Sequence, residues 1–480
     1  MKASTLLTMG ATAALAAGAA AACDSATEPG RRITFAATSV TPALLKSLPA
    51  GVQAIPVISS DDQLPGSPNF IFGGSADGMG ILRGTDGVYT LLVNHEDNFS
   101  VSRLTLDADF RPITGEYVLQ SDAGRYRLCS ATMVRPEVHG FGPLYITAGE
   151  SNAESQIHAV NPFGARNTST FLTALGRWNT ENAVPLPAEA YGDRTVIVIG
   201  DDDSSSAAGG QLALYVGNSI GDLTTGSVYV MARANDVVRE RDMVPGTTYP
   251  VVFRKLEGSV PAMTGADINA RSLSLKAIQF GRVEDIDYRK GSGGGREVYF
   301  NVTGQANTGV NADYSRSKYG RVYRLVLDRQ DPTRGTVEVL LDGDDRNGPA
   351  REFQNPDNIM VARNFAYISE DPNGYGDETH DARVYQYDLR SGALRVVAEL
   401  DHHRGDAKYN NVAGARSSLG AWEFGAMLDL TEEAGIRDGF LLAIQPHTWT
   451  GDRYRAADGG TGRPNESQAS QLVVLTGLER

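Results

Sequence analysis

The feature that most constrains the fold is a recurrence of short apolar runs between residue 88 and the C-terminus. These runs are rich in β-branched and aromatic residues and are bounded by Gly, Asp and Asn; examples are residues 88–93, 195–199, 211–216, 298–302, 321–325 and 383–387. Such runs are typical of β-strands. Helical periodicity is scarce outside the N-terminal segment, apart from short stretches such as 431–436. The sequence therefore predicts an all-β chain.

Two segments share one layout, which favours a particular all-β architecture. Residues 320–342 and 382–401 each run strand, polar turn, strand and then an acidic residue. Repetition of short antiparallel units over 480 residues favours a β-propeller over a sandwich. No fixed-period repeat is evident in the sequence, so periodicity alone gives no blade count.

The N-terminal segment has the pattern of an export signal. Lys2 supplies a positive end, residues 6–22 are apolar and Ala-rich, and Cys23 follows three alanines, as at a lipoprotein processing site. We expect a signal peptide over 1–22 with a possible lipid anchor on Cys23, a linker over 23–50 and a propeller domain over 51–480. Plain cleavage near Ala22 is the alternative. Both versions predict a protein exported to the periplasm or the cell surface.

Charge and cysteine content narrow the classes of partner. The net charge is −14, and no basic stretch is interleaved with aromatic residues, which argues against nucleic acid. The chain has two cysteines. If Cys23 is lipidated or removed, Cys129 has no intramolecular partner, and a lone thiol in an exported protein calls for an explanation.

Acidic residues follow several of the predicted strands at the point where each strand ends. The sets are His95-Glu96-Asp97, Glu150, Asp201-Asp202-Asp203 and Glu370-Asp371. Because equivalent strand ends of propeller blades surround one channel mouth, we expect these carboxylates to meet and to bind hard cations. Taken singly, each set could equally be a turn, His95 could be a structural histidine, and Cys129 could be a small buried apolar residue.

A series of motifs resembles the PhoX-type alkaline phosphatases, in the order in which that family carries them. The matching stretches are LLVNHED (91–97), LCSAT (128–132), YITAGES (145–151), LGRWNTEN (175–182), VIVIGDDD (196–203), GRVEDI (281–286), VYFNVTG (298–304), YGRVYRL (319–325), NPDNIMV (355–361), YISED (367–371), AWEFGAM (421–427) and LLAIQPHTW (441–449). They cover residues 91–449, nearly the whole of the predicted domain.

The chain also departs from the family pattern and resembles a divergent member. Ser151 follows the single Glu150, Thr180 replaces a histidine before Glu181, and Val283 replaces a proline between arginine and glutamate. The family's Gln-His-Pro ending is here Gln-Pro-His at 445–447, and no twin arginine precedes the apolar signal.

The resemblance implies a six-bladed propeller that holds a pair of ferric ions together with calcium. It also implies hydrolysis of small phosphomonoesters by an oxygen that the metals activate, in a monomeric enzyme. Arg282 would contact the phosphate. The implied metal ligands are Cys129, on iron, with Glu181, Glu284 and Asp371; Glu96, Glu150, Asp201, Asp202 and Glu423 would bind calcium or support the site. A thiolate with carboxylates suits iron, and oxygen-only clusters suit calcium.

Two other functions remain open from the sequence. Propellers with acidic central sites also serve as calcium-dependent lactonases or phosphotriesterases, and a non-catalytic module could hold calcium alone. Iron separates these hypotheses, because only the phosphatase requires iron at Cys129.

Overall fold

The structure is a computed structural model, and it describes residues 30–291, 293–411, 418–461 and 467–480. The signal peptide and Cys23 anchor predicted from the sequence lie outside the described residues. None of the helices within the described ranges is long and apolar enough to cross a membrane.

Within these residues the strands form five antiparallel sheets. Two strands come first in the chain, β1 (Leu45–Lys46) and β2 (Gln53–Ser59), and each joins a sheet made by the C-terminal part. The first sheet is β3 (Ala76–Arg83), β4 (Tyr89–His95), β5 (Ser100–Leu106) and β6 (Pro112–Leu119). The second is β7 (Leu128–Val134), β8 (Leu144–Gly149), β9 (His158–Val160) and β10 (Thr170–Phe171).

The third sheet has nine strands, which the chain makes in two runs joined through β15. They are β11 (Thr180–Pro185), β12 (Val196–Asp201), β13 (Leu212–Val216), β14 (Ser227–Arg233), β15 (Thr248–Lys255), β16 (Val283–Tyr288), β17 (Glu297–Val302), β18 (Arg321–Leu327) and β19 (Arg334–Asp342). The fourth sheet is β20 (Pro356–Val361), β21 (Phe365–Glu370), β22 (Arg383–Asp388) and β23 (Leu394–Leu400), with β1 at its edge. The fifth is β24 (Glu423–Asp429), β25 (Gly439–Gln445) and β26 (Gln471–Thr476), with β2 at its edge.

Helices are few and short. The α-helices are α1 (Ser121–Gly124), α2 (Pro136–His139), α3 (Gly265–Ser274) and α4 (Leu430–Ala434). Single 3₁₀ turns span Thr173–Leu175, Ala188–Ala190, Glu240–Asp242, Val260–Ala262, Gly293–Gly295 and Gly309–Asn311. Thr264 and Asp267 form a capping box that begins α3, and the Asp429 side chain caps α4, which lies where the sequence predicted a short helix.

Six strands surround the centre of the molecule. In the order β3, β7, β11, β16, β20 and β24, each strand contacts the next, and β24 contacts β3, so that the ring is closed. Apolar clusters fill the spaces between neighbouring sheets and between the two halves of the third sheet. In the cluster between those halves the rings of Phe300 and Tyr323 stack with centroids 4.9 Å apart. Because neighbours pack on both faces of a sheet, a strand such as β25 is buried over its whole length. We call the end of the ring where these six strands begin the mouth.

The predicted all-β, propeller-like class is confirmed. The sheets do not divide into six separate units, because β15 pairs with both β14 and β19 and so joins two four-strand runs into one sheet. No feature of the sequence points to this bridge, since β15 reads as an ordinary strand. Part of the predicted linker also belongs to the folded body, as β1 pairs with β23.

Candidate metal centre

A repeated irregularity of the six inner strands builds the floor of the mouth. In β3, β7, β11, β16 and β20 the pairing register shifts directly after the first residue of the strand. A β-bulge of this kind leaves a residue unpaired and re-aims its side chain. The residues at the shift are Asp77, Cys129, Glu181, Glu284 and Asp357. Each of these five potential metal ligands thus occupies the same position on its own inner strand.

The sixth inner strand departs from this arrangement for a steric reason. In β24 the register shifts between Phe424 and Met427, which places Gly425 at the position equivalent to the four acids and the thiol. A Cβ atom on Gly425 would lie 2.5 Å from the backbone oxygen of Ala76 and 2.9 Å from Oδ1 of Asp77. No side chain fits there, and the carboxylate of this strand comes from Glu423 at its start.

A second set of acidic residues comes from the ends of the neighbouring strands. Because pairing is antiparallel, the end of each second strand lies beside the start of the inner strand. Glu96 follows β4, Glu150 follows β8, Asp202 follows β12 and Asp371 follows β21. The strand-end residues that the sequence singled out therefore come from four sheets to the same end of the ring.

Most of these side chains line one open cavity of about 500 Å³ at the mouth. Its lining residues are Glu96, Phe99, Arg127, Cys129, Glu150, Ser151, Glu181, Arg282, Glu284, Asp357, Asp371 and Glu423. Two residues from the predicted set do not line it. Asp202 stands behind Arg282, and Asp201 accepts hydrogen bonds from the backbone amides of Asn179, Gly210 and Gln211, which is a structural role.

Three overlapping groups of donor atoms could each hold a metal ion. They are Asp77–Cys129–Glu181, Glu96–Cys129–Glu150 and Glu181–Glu284–Asp357, and within each group the ligand atoms lie within 4.8 Å of one another. Cys129 belongs to two groups and Glu181 to two, so the groups form a connected set. The Cys129 thiol lies 3.2 Å from Oε1 of Glu96 and 3.3 Å from Oε2 of Glu150.

The electrostatics of the cavity are unfavourable for a protein alone. Burial, followed by neighbouring carboxylates such as Asp202, raises the pKa of Glu150 to about 8. Burial and mutual repulsion likewise raise the pKa values of the carboxyls on Asp77, Glu181, Glu284, Asp357 and Glu423 well above their usual range. Burial, and then the charge of Glu181, also raises the pKa of the Cys129 thiol. A bound cation would remove this repulsion and favour the charged form of every one of these groups.

Arg282 lies against the donor group Glu181–Glu284–Asp357. It adopts a left-handed backbone conformation, with φ of 74°, just before β16. Its Nε atom donates to Oδ1 of Asp202 at 2.6 Å, its Nη2 atom lies 2.9 Å from Oε1 of Glu284, and its Nη1 atom donates to Oδ1 of Asn373 at 2.8 Å. Burial works against its charge, but Asp202 and Glu284 outweigh that effect and hold the pKa of Arg282 well above its ordinary value.

Sequence reasoning missed Asp77 and Asp357. The sequence does contain a pattern that marks these positions, and it recurs on five inner strands. In each case the bulge residue is followed by a small or polar residue and then by an apolar one. The stretches are Ala76-Asp77-Gly78-Met79, Leu128-Cys129-Ser130-Ala131, Thr180-Glu181-Asn182-Ala183, Val283-Glu284-Asp285-Ile286 and Pro356-Asp357-Asn358-Ile359. The spacing is even over the first three and is then broken by the insertion that holds β15 and α3, which hides the repeat from a search for a fixed period.

His95, by contrast, is a structural residue. Its ring is fully buried, and its Nε2 atom lies 2.8 Å from the hydroxyl of Ser102. Burial lowers the pKa of His95 to about 3, so the ring is neutral. The adjacent Glu96, not His95, reaches the cavity.

Comparison with solved structures shows a likeness over almost the whole chain. PhoX of Pseudomonas fluorescens, solved in complex with vanadate, a transition-state analogue, superposes with a TM-score of 0.64 at 14% sequence identity, over 93% of this chain and 97% of that one. An aldose sugar dehydrogenase from Streptomyces coelicolor, in its PQQ-bound form, matches with a TM-score of 0.40 at 10% identity, over 89% of this chain and 100% of that one. No family model and no curated protein matches the sequence. The likeness to PhoX is one of fold.

Proposed function

We propose that this protein is a metal-dependent phosphohydrolase that releases inorganic phosphate from phosphomonoesters. The observation that carries the proposal is the position of Arg282, a fixed guanidinium that shares a cavity with connected thiol and carboxylate donor groups. Hydrolysis of a phosphomonoester spreads negative charge over the phosphoryl oxygens in the transition state. A guanidinium beside cation-binding carboxylates supplies what that charge distribution requires.

The donor set fits iron and calcium in different places. Cys129 stands among Asp77, Glu96, Glu150 and Glu181, and a thiolate with carboxylates suits iron. The group Glu181–Glu284–Asp357 offers oxygen donors only, which suits calcium. We propose that both ions bind here and that Asp371 and Glu423, which line the cavity, complete their coordination. The raised pKa values of the carboxyls are the sign of a site that the protein alone does not neutralise.

The residues of this chain would bind and orient the substrate. Asp202 holds the guanidinium of Arg282 from behind through two hydrogen bonds, of 2.6 and 3.2 Å, and Asn373 fixes its third nitrogen. The second N–H of Nη1, and the N–H of Nη2 that faces Glu284 once that carboxylate binds a cation, would then meet phosphoryl oxygens in a fixed orientation. Bound cations would supply further positive charge and activate the attacking oxygen.

A substrate panel combined with metal analysis tests the proposal. Purified protein, supplied with ferric iron and calcium, is assayed on p-nitrophenyl phosphate, a phosphotriester and a lactone, and its metal content is measured in parallel. We expect hydrolysis of the monoester and bound iron together with calcium. Active protein with calcium alone would overturn the iron assignment, and activity confined to the triester or the lactone would replace the phosphatase function.

The same proposal extends to architecture and location. Counting the nine-stranded sheet as two blades joined by β15 gives a six-bladed propeller, which the closed ring of six inner strands supports. We further propose a monomer that is exported through the segment 1–22, with a lipid anchor on Cys23. Intact-mass measurement of the protein from its native host tests this, since retention of residues 1–22 would contradict export by this route.

A further inference from the structure

A second pocket opens beside the cavity on the same face of the propeller. It has a volume of about 600 Å³, and we call it the side pocket; its walls include Tyr319, Arg346, Arg351, Phe353, Asn355 and Tyr375. Asn355 comes directly before β20, whose first residue is at the mouth, so the pocket lies at the mouth end of the ring.

One chain of contacts joins the side pocket to the phosphate-binding residue of the proposed function. Arg282 donates to Oδ1 of Asn373 at 2.8 Å, and the backbone amide of Asn373 donates to Oδ1 of Asn355 at 3.1 Å. Tyr375 follows two residues after Asn373, and Arg282 is close enough to influence its titration: burial raises the pKa of Tyr375 to about 12 and Arg282 opposes that rise. The side pocket thus begins about one side chain beyond Arg282.

The cations of the side pocket distinguish it from the acidic cavity. The Arg346 guanidinium lies 3.5 Å from the centroid of the Tyr319 ring and donates to the backbone oxygens of Arg351 and Phe353. Lys318 lies 4.4 Å from the centroid of Tyr319 and 4.8 Å from that of Tyr375. The faces of the Tyr319 and Tyr375 rings are thus occupied by the cationic groups of Arg346 and Lys318, which the rings hold in place. These faces are not free to stack on a ligand.

The acidic residues of the side pocket are already engaged by other groups. Asp377 pairs with Lys318, and Glu352 pairs with Arg383. Glu378 accepts hydrogen bonds from a backbone amide two residues before it. The hydrogen bond from Tyr319 and the charges of Lys318 and Arg346 lower the pKa of Asp377, so Arg346 attracts this carboxylate but does not pair with it at ion-pair distance.

Arg346 and Arg351 are the two remaining arginines of the side pocket. Among the described residues, no carboxylate lies within ion-pair distance of either side chain. In a chain with a net charge of −14, two such guanidiniums in one concave place, next to an acidic cavity, form a local site for an anion.

We propose that the side pocket receives the alcohol part of the substrate and selects phosphomonoesters whose alcohol carries a second anionic group, a carboxylate or another phosphate. This inference rests on the proposed phosphohydrolase function. An anionic alcohol part would be repelled by the carboxylates on the other walls of the cavity, whereas Arg346 and Arg351 attract it on the Arg282 side. These two arginines would therefore favour phosphomonoesters whose alcohol part carries a second negative charge.

A matched pair of substrates tests the inference. Glycerol 3-phosphate carries a hydroxymethyl group at the position where 3-phosphoglycerate carries a carboxylate. The kcat/KM value for 3-phosphoglycerate divided by that for glycerol 3-phosphate therefore reports selection for the second anion. We expect the native protein to favour 3-phosphoglycerate and the double variant Arg346→Gln/Arg351→Gln to lower the ratio about tenfold at low ionic strength, the size of one or two partly exposed ion pairs. Added salt should lower the ratio of the native protein towards that of the variant.

Arg329→Gln is the control matched in charge to the single variant Arg351→Gln, because it removes one positive charge from an exposed turn between β18 and β19 at the opposite end of the ring. It should leave the ratio unchanged. If the double variant unfolds, Arg351→Gln alone replaces it, with an intermediate fall in the ratio expected. Hydrolysis of both substrates without preference, or with a preference that survives the substitutions, would overturn the inference and leave the function standing. Hydrolysis of neither substrate by metal-loaded protein that cleaves p-nitrophenyl phosphate would overturn the inference alone, whereas inactivity on all three monoesters would overturn the function with it.

Discussion

Two regions of the molecule bury carboxylates in opposite ways. Glu240 is fully buried, and its side chain accepts hydrogen bonds from the backbone amides of Gly281 and Ser317 and from the hydroxyl of Tyr323, at 2.9, 3.0 and 3.0 Å. Arg321 adds a positive charge nearby. Glu181 at the mouth is 2% exposed, and among the described residues its carboxylate accepts no hydrogen bond from the protein.

The difference separates structure from function. A buried carboxylate normally requires hydrogen bonds or a cation, because burying an uncompensated charge is costly. At Glu240 the fold supplies them, so the residue acts as part of the framework. At Glu181 and Asp357 other carboxylates stand where partners would be expected, so these groups are neutralised by the protons that their raised pKa values favour or, under the proposed function, by bound cations. The partners of an acidic residue, more than its burial, indicate its role.

The largest effect is expected for Glu181→Gln, which removes a carboxylate of the candidate metal site at the mouth. Glu181 contributes to two donor groups, so its loss should release metal and lower kcat/KM by more than about a hundredfold, since even outer-shell partners of metal ligands cost roughly 10–100-fold. Elemental analysis and the p-nitrophenyl phosphate assay measure both effects. Retention of full metal content would show that Glu181 is not a ligand.

Arg282→Ala should give the next largest effect, with a different signature. We expect transition-state stabilisation to fall by roughly 2–4 kcal/mol, the size of one lost charge-stabilising donor, while metal remains bound. Glu284→Ala is the matched variant two residues away and should lose metal and activity together. Native turnover in Arg282→Ala would place the phosphate elsewhere in the cavity.

Glu240→Gln tests the framework side. The amide offers one acceptor oxygen where the carboxylate offers two, and the donors on Gly281, Ser317 and Tyr323 lose a charged acceptor. We therefore expect the free energy of unfolding to fall by about 1.5–3 kcal/mol, the size of a hydrogen bond to a buried charged group. Chemical denaturation of Glu240→Gln and Glu181→Gln gives the contrast. In the metal-free state Glu181→Gln should be as stable as the native protein or more stable, because it relieves repulsion. Equal destabilisation by the two substitutions would remove the distinction between framework and metal-site carboxylates.

A further expected effect concerns pH. The folded protein raises the pKa of Glu150 from its ordinary 4.5 to about 8, so in this range the folded state binds more protons than the unfolded state. Stability of metal-free protein should therefore fall as pH rises from about 5 to about 8. Melting temperatures of chelator-treated protein measure the slope, and Glu150→Gln should flatten it. A metal-free protein that gains stability over this range would contradict the stated direction.

The sequence predicted the class of fold and much of the candidate site for identifiable reasons. Strand ends converge in a propeller, so the strand-end acids Glu96, Glu150 and Asp371 could be assigned to one mouth from their sequence positions. Asp77 and Asp357 could not, because the Gly and Asn residues after them resemble turn residues and the bulge that re-aims the side chains depends on pairing between strands.

Asp201 shows the opposite limit of sequence reasoning. Its sequence setting matches that of Asp202, since both lie in one run of three aspartates after an apolar strand. The Asp201 carboxylate nevertheless accepts hydrogen bonds from three backbone amides, whereas Asp202 holds Arg282. Alternation along the strand end decides between the two roles, and the phase of that alternation depends on the pairing of β12 with its neighbours.

The pairing of β2 with β26 has a consequence for how the protein comes into being. The fifth sheet needs a strand from residues 53–59 and one from residues 471–476, so the ring closes only when the last part of the chain has been synthesised. Contacts so distant in sequence form slowly, because a long loop must be ordered first. The cavity takes Glu96 from the first sheet and Glu423 from the last. Its charges therefore meet late in maturation, and the proposed metal ions would be acquired in the compartment in which the chain folds.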